Sequence, residues 1–135
     1  MKLELSPLSK AVTRLEEGLV RYRSDTTDLQ IRDGLIQRFE FTYELAHRAL
    51  KRYLEGVSPN PAEYDAADFQ FLIRSASEQG LILHGWPDWR RYREMRTKTS
   101  HTYNEETALD VVAGIPAFLD EARHLCRELQ SRTDR

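Results

Sequence analysis

The chain has 135 residues, enough for one domain with a core of its own, so no disulfide or metal staple is needed to hold it. Hydrophobic residues at 40% and charged residues at 31% exclude a disordered chain; 20 Lys plus Arg against 22 Asp plus Glu, a formal charge of -2, exclude a basic nucleic-acid coat. Any contact with phosphate has to come from a local cluster.

The start, Met1-Lys2-Leu3-Glu4, carries no apolar signal region, and no window approaches the ~18 apolar residues of a membrane span. Leu5, Leu8, Val12, Leu15, Leu19 and Tyr22 recur at steps of three and four, predicting a first helix from about Ser6 to Ser24. Ser6 is its expected cap and Pro7 its first helical residue. After a polar break at Ser24 to Asp28, a long second helix is expected from about Asp28 to Glu55. Its inner stripe is Leu35, Ile36, Phe39, Tyr43, Ala46, Ala49, Leu50 and Tyr53. Phe41 and Leu45 form a second apolar face, to be covered by another helix or by a partner subunit. Gly56 to Pro61 stops the helix. A third helix is expected from about Pro61 to Gln79, with Ala62, Ala66, Phe69, Leu72, Ile73 and Ala76 inward, and Gly80 ends it.

Leu81-Ile82-Leu83 is a short apolar bridge, and a fourth helix is expected from about Pro87 to Thr97 on Trp89, Tyr92 and Met95. The last helix starts near Asn104, a good cap followed by Glu105 and Glu106, which favour the positive end of the helix dipole. Ala108, Val111, Val112, Ile115, Leu119, Ala122, Cys126 and Leu129 are its stripe, and Pro116 inside it is expected to kink it. Cys126, the one cysteine, reads as core filler and points to a reducing cytoplasm. No stretch alternates with period two for long. The expected fold is therefore all-α, an antiparallel up-and-down bundle of four to five helices, with residues 1–135 as a single domain.

Chemistry concentrates in Arg90 to Glu105, which holds five basic side chains, then Thr97, Thr99, Ser100, His101, Thr102 and Tyr103. On a continuous helix Arg96 and His101 would stand roughly 140° apart and could not converge. Thr97, Thr99 and Ser100 are poor helix formers. A break there lets both side chains turn toward one space, and an extended chain past His101 would put Tyr103 on the same side as the imidazole. A permanent cation, an imidazole and a phenol at one mouth fit a phosphodiester: arginine neutralises phosphate and histidine moves protons near neutral pH. Arginine-rich turns between helices are also common as plain surface, so spacing by itself leaves the chemistry open. His47, His84, His101 and His124 lack paired ligand spacing and there is no second cysteine, so neither a metal nor a cofactor is expected. There is no Gly-x-Ser-x-Gly elbow and no glycine-rich phosphate loop.

Two blocks, Arg32 to Ala46 and Arg96 to Glu105, resemble the nucleotidyltransferase substrate-binding-protein-like family, a branch of the HEPN superfamily. The resemblance covers nearly the whole chain. It implies an antiparallel helical bundle that forms a homodimer and pairs with a small MNT-type nucleotidyltransferase encoded nearby. It further implies a toxin whose metal-independent endoribonuclease site is an arginine, then four to six residues, a histidine, any residue and a tyrosine. These positions map onto Arg96, His101 and Tyr103. Arg96 would stabilise the phosphorane, His101 would handle the 2′-hydroxyl or leaving-group proton, and Tyr103 would accept AMP from the nucleotidyltransferase, which silences the toxin. Glu40, Ser100 and Arg93 are accessory candidates. Family members often carry Asp before the motif arginine and Asn after it; here those places hold Met95 and Thr97, a departure that bears on nuclease activity more than on fold or pairing. The alternative expectation is a non-catalytic substrate-binding or regulatory subunit of a two-component nucleotidyltransferase.

Overall fold

The computed structural model describes residues 3–65 and 68–133. Its five α-helices are α1 (Ser6–Ser24), α2 (Leu29–Val57), α3 (Phe69–Glu78), α4 (Trp86–Lys98) and α5 (Glu105–Thr133), with no strand among the described residues. Directions follow from the contacts. Thr42 donates to the carbonyl of Ala11 and Arg38 to that of Arg14, so α1 runs antiparallel to α2. Arg32 meets Glu105 at one end of α2, and Arg132 lies over Tyr53 at the other, so α2 and α5 run parallel. Lys98 pairs with Asp110 and Trp89 with Glu121, which sets α4 antiparallel to α5. Two long parallel helices thus form the spine, α1 and α4 lie against both with the opposite sense, and short α3 closes over α2 and α4.

The core is apolar along the stripes that the periodicity marks, and Phe118 of α5 sits at its aromatic centre. Its ring meets Phe39 edge-on at 5.0 Å and Tyr92 at 5.3 Å. Cys126 is buried, and burial pushes its thiol up from the ordinary range. Leu45 packs partly buried against this core and Phe41 is half-buried.

Three helix ends differ from the sequence expectation: the cap of the first helix, the span of the third and the end of the fourth. Ser6 does not cap α1: Leu5 holds that place with no side-chain bond, and the Glu4 carboxylate takes the Ser6 N–H at 3.0 Å. The third helix is two pieces, a 3-10 turn at Pro61–Tyr64 and then α3. Asp68 explains the restart, because its carboxylate accepts the Phe71 N–H at 2.8 Å and caps a new helix. Ala66, expected on that helix, lies outside the described residues. Pro116 sits within α5 without interrupting it. The fourth helix outlasts Thr97 by one residue before the chain tightens.

Gly80 ends α3 with φ +69°, a left-handed conformation that a Cβ would strain. There the N–H groups of Gly80 and Leu81 donate back to Ser77 and Ala76, each at 3.0 Å, closing the helix end and turning the chain toward α4. No described helix is long and apolar enough to cross a membrane.

Candidate functional site

The turn between α4 and α5 lies at the same end of the bundle as the start of α2. Threonines build it. The Thr99 hydroxyl donates to the Arg96 carbonyl at 2.7 Å, ending α4, and the chain tightens into a 3-10 turn at Thr99–His101. Thr102 then donates to the Thr99 carbonyl at 3.3 Å, and the Asn104 N–H donates to the His101 carbonyl at 3.2 Å. The chain past His101 is therefore not extended, so the condition under which strand-like alternation would align His101 and Tyr103 is not met; Thr102 has φ -78° and ψ 0°. Successive turns, rather than strand-like alternation, bring the rings of His101 and Tyr103 edge to face with centroids 6.2 Å apart. Asn104 caps α5 as expected, accepting from the Thr107 N–H at 3.1 Å.

Arg96 sits on the last turn of α4, and its guanidinium is held from α2. Nε and Nη2 donate to one oxygen of Glu44 at 2.9 and 2.5 Å, Nη1 donates to the Thr99 hydroxyl at 3.2 Å, and Glu40 stands 3.7 Å from Nη2. A guanidinium has five N–H groups, so these bonds leave one on each terminal nitrogen for an incoming anion. Glu40 is thus beside the arginine, but Glu44, one helical turn on, is the closer acid. Sequence reasoning missed Glu44; its signal was the spacing of four between two acids on one face of α2.

Tyr103 is 88% exposed at the tip of the turn, and His101 and Ser100 are exposed beside it. Arg93, three residues before Arg96, does not join them: its guanidinium carbon lies over the Phe69 ring at 5.0 Å. Between the two arginines, burial pushes the Tyr43 phenol up to about 12, with Arg93 and Arg96 both pulling it the other way.

The residues at the two departures bond or pack elsewhere. Met95 is buried and fits against Gly114 of α5, where an added Cβ would overlap its sulfur. The Thr97 hydroxyl donates to the Arg93 carbonyl on the helix's own surface. Two further anchors were not read from sequence. Arg32, buried at the start of α2, makes a two-pronged pair with Glu105 at 2.7 and 3.0 Å, fixing the start of α5 just after Tyr103. Glu121, fully buried on α5, accepts from the N–H groups of Leu83 and His84 and from Trp89 Nε1, fixing the start of α4. Among the described residues no three His, Cys, Asp or Glu side chains gather as metal ligands would.

A parallel helical spine flanked by two antiparallel helices, with a basic turn at one end, defines a class of small helical-bundle domains. The family model described as nucleotidyltransferase substrate binding protein like matches residues 3–131, and the chain belongs to that family. The probable ribonuclease HepT of Haemophilus influenzae is 39% identical over 140 residues, which cover 97% of this chain and 94% of that protein. The solved structure of HI0074 from Haemophilus influenzae, described as the fold of a substrate binding domain of a nucleotidyltransferase, matches with a TM-score of 0.88 at 35% identity, covering 94% of this chain and 99% of that one. A stretch of 121 residues is 29% identical to part of a DNA gyrase chain of Halalkalibacterium halodurans but covers only 14% of that protein.

Proposed function

We propose that this chain is the HEPN-type helical partner of a minimal nucleotidyltransferase, a cytoplasmic toxin whose turn between α4 and α5 cleaves RNA without a metal and is silenced by AMP transfer to Tyr103. The observation that carries this reading is the turn itself: one helix-to-helix connection presents Arg96, His101 and Tyr103 at one end of the bundle, with the imidazole against an exposed phenol. Similarity to a probable ribonuclease and to a nucleotidyltransferase's substrate binding domain supports it.

In the proposed reaction the 2′-hydroxyl attacks the adjacent phosphorus and loses its proton to an imidazole. The P–O5′ bond breaks and the departing oxygen takes a proton, while the free N–H groups of Arg96 meet the charge on the non-bridging oxygens. Two proton transfers and one such histidine per chain favour a homodimer, with the second copy's turn facing the same phosphate. For silencing, the Tyr103 phenol oxygen displaces pyrophosphate from a nucleoside triphosphate held by the nucleotidyltransferase. The AMP left on Tyr103 sets a bulky anion beside His101 and competes for Arg96.

Purified, unmodified protein should degrade RNA in excess chelator, and His101→Ala should lose about 10²–10⁴-fold of that rate. Equal rates would refute the assignment. Co-expression with the adjacent nucleotidyltransferase should add the mass of one or more AMP groups, and Tyr103→Phe should abolish the gain. A second reading, the non-catalytic substrate-binding or regulatory subunit, draws on one feature: Glu44 and Glu40 already meet the charge of Arg96. RNA left intact by the unmodified protein, together with a stable complex with the nucleotidyltransferase, would select it.

A further inference from the structure

On the face made by α2, α3 and α4, at Arg93 rather than Arg96, lies a cavity of about 340 Å³. His47 and Lys51 line it from α2, Asp65 and Asp68 from the segment before α3, Phe69 from the first residue of α3, and Arg93 from α4. Small-ligand sites run from ~300 Å³ upward, so the space suits one base and its phosphate. Its wall is aromatic: His47 stands edge-on to Phe69 at 5.4 Å and 87°, with the Arg93 guanidinium over the Phe69 ring.

The cations here differ from Arg96 in one respect. Arg96 is already bound to Glu44, whereas among the described residues neither Lys51 nor Arg93 forms an ion pair. The Asp68 carboxylate is turned to the Phe71 N–H as a helix cap, which leaves Asp65 as the rim acid. Burial, helped by Lys51 and Arg93, holds His47 below the usual imidazole range, so near neutral pH its ring offers one donor and one acceptor. The cavity is not isolated. His47 and Lys51 also line a shallower depression with Tyr43, Glu44 and Arg48, and Glu44 is the acid that holds Arg96. Arg48, Lys51 and Arg93 therefore line two adjoining depressions, and Glu44 joins the first of them to Arg96.

We propose that this cavity is a nucleotide subsite, which takes one base and its phosphate from an RNA strand whose neighbouring phosphate lies at Arg96. Lys51 and Arg93 hold the phosphate. The guanidinium plane of Arg93, backed by the buried Phe69 ring and flanked by His47, forms the surface on which the base rests, and Asp65 accepts from an exocyclic amine. The identity of the strand rests on the RNA reading of the turn; the cavity's affinity for a base with a phosphate does not. A free nucleoside monophosphate shares that chemistry, and a strand adds the contact at Arg96.

The test is a calorimetric titration of the full chain with a 2′-O-methylated tetranucleotide, which has no attacking hydroxyl, and with AMP, each over a salt series. The Trp86 ring is 5.6 Å from that of Phe69, so tryptophan fluorescence reads the same event. We expect saturable tetranucleotide binding that is tighter than AMP binding. Lys51→Ala and Arg93→Ala should each weaken it about tenfold and flatten the log–log salt slope by ~0.7, as loss of one phosphate contact to a single strand does. Lys51→Arg should retain the affinity, which separates loss of charge from loss of fold. No binding to the wild type, or wild-type affinity retained in both alanine variants, overturns the proposal, and AMP binding as tight as the tetranucleotide overturns its strand assignment. Binding that depends on Lys51 and Arg93 without any RNA cleavage would refute the nuclease and keep the subsite. Cleavage with binding indifferent to both residues would do the reverse.

Discussion

Glu121 carries more of the architecture than its place on a helix stripe announces. Both of its oxygens are occupied, by the Leu83 N–H at 2.7 Å, the His84 N–H at 2.9 Å and Trp89 Nε1 at 2.6 Å, and no part of the residue reaches solvent. Removing the carboxylate strands the buried Trp89 donor and two part-buried backbone N–H groups and opens a void, so Glu121→Ala should cost about 3–5 kcal/mol of stability. Glu121→Gln keeps an acceptor and should cost less; a urea melt of the two variants checks the order, and equal losses would contradict it. Arg32 and Glu44 share with Glu121 the reason they were not legible. Their partners lie 73 and 52 residues away, and those of Glu121 lie 32 to 38 residues away. Periodicity and spacing report only neighbours on one helix. Arg96, His101 and Tyr103 could be singled out as candidates because they are close together in sequence; the geometry that joins His101 to Tyr103 was not legible, since an extended chain and a series of turns can serve the same three residues.

Between elements, the close contact of α4 with α5 turns on Gly114. A Cβ there would overlap the Met95 sulfur and come 2.7 Å from its terminal carbon, and Arg91 Nη2 would lie 3.4 Å away. Met95 is buried, so its far end has little room to yield. Gly114→Ala should therefore destabilise by about 1–3 kcal/mol despite the better helix propensity of alanine. Met95→Ala in the same chain should recover part of that loss, which a double-mutant cycle on thermal melts would reveal. The spans of α2 and α4 and the start of α5 were legible to within about two residues because their stripes are made of large apolar side chains. The third helix differs from its expected span because Ala62 and Ala66 are weak markers of a stripe: alanine suits a helix and a tight turn alike, and the capping signal at that point is the single carboxylate of Asp68.

At the scale of the whole molecule, stability should fall on both sides of neutral pH for different reasons. His47 is held below its usual 6.5 by burial, so the unfolded chain binds the proton more readily. Its contribution is complete above pH 6.5 and is lost as the pH falls through the window beneath. Tyr43 is pushed up from 10.0 to about 12, so the unfolded chain ionises first and stability is lost as the pH rises across that interval, with Tyr92 shifted in the same direction. Urea midpoints measured against pH should show a blunted acid loss in His47→Gln and a blunted alkaline loss in Tyr43→Phe. Unchanged profiles would contradict the assignment. The lone thiol of Cys126 offers a way to follow such openings without adding a label site. It is 6% exposed, on α5 between the flanks of the spine, and burial suppresses its thiolate. An alkylating reagent can reach it only when α5 parts from its neighbours, so a timed pulse of maleimide counts the molecules caught open, and the chain brings its own clock for breathing at its centre.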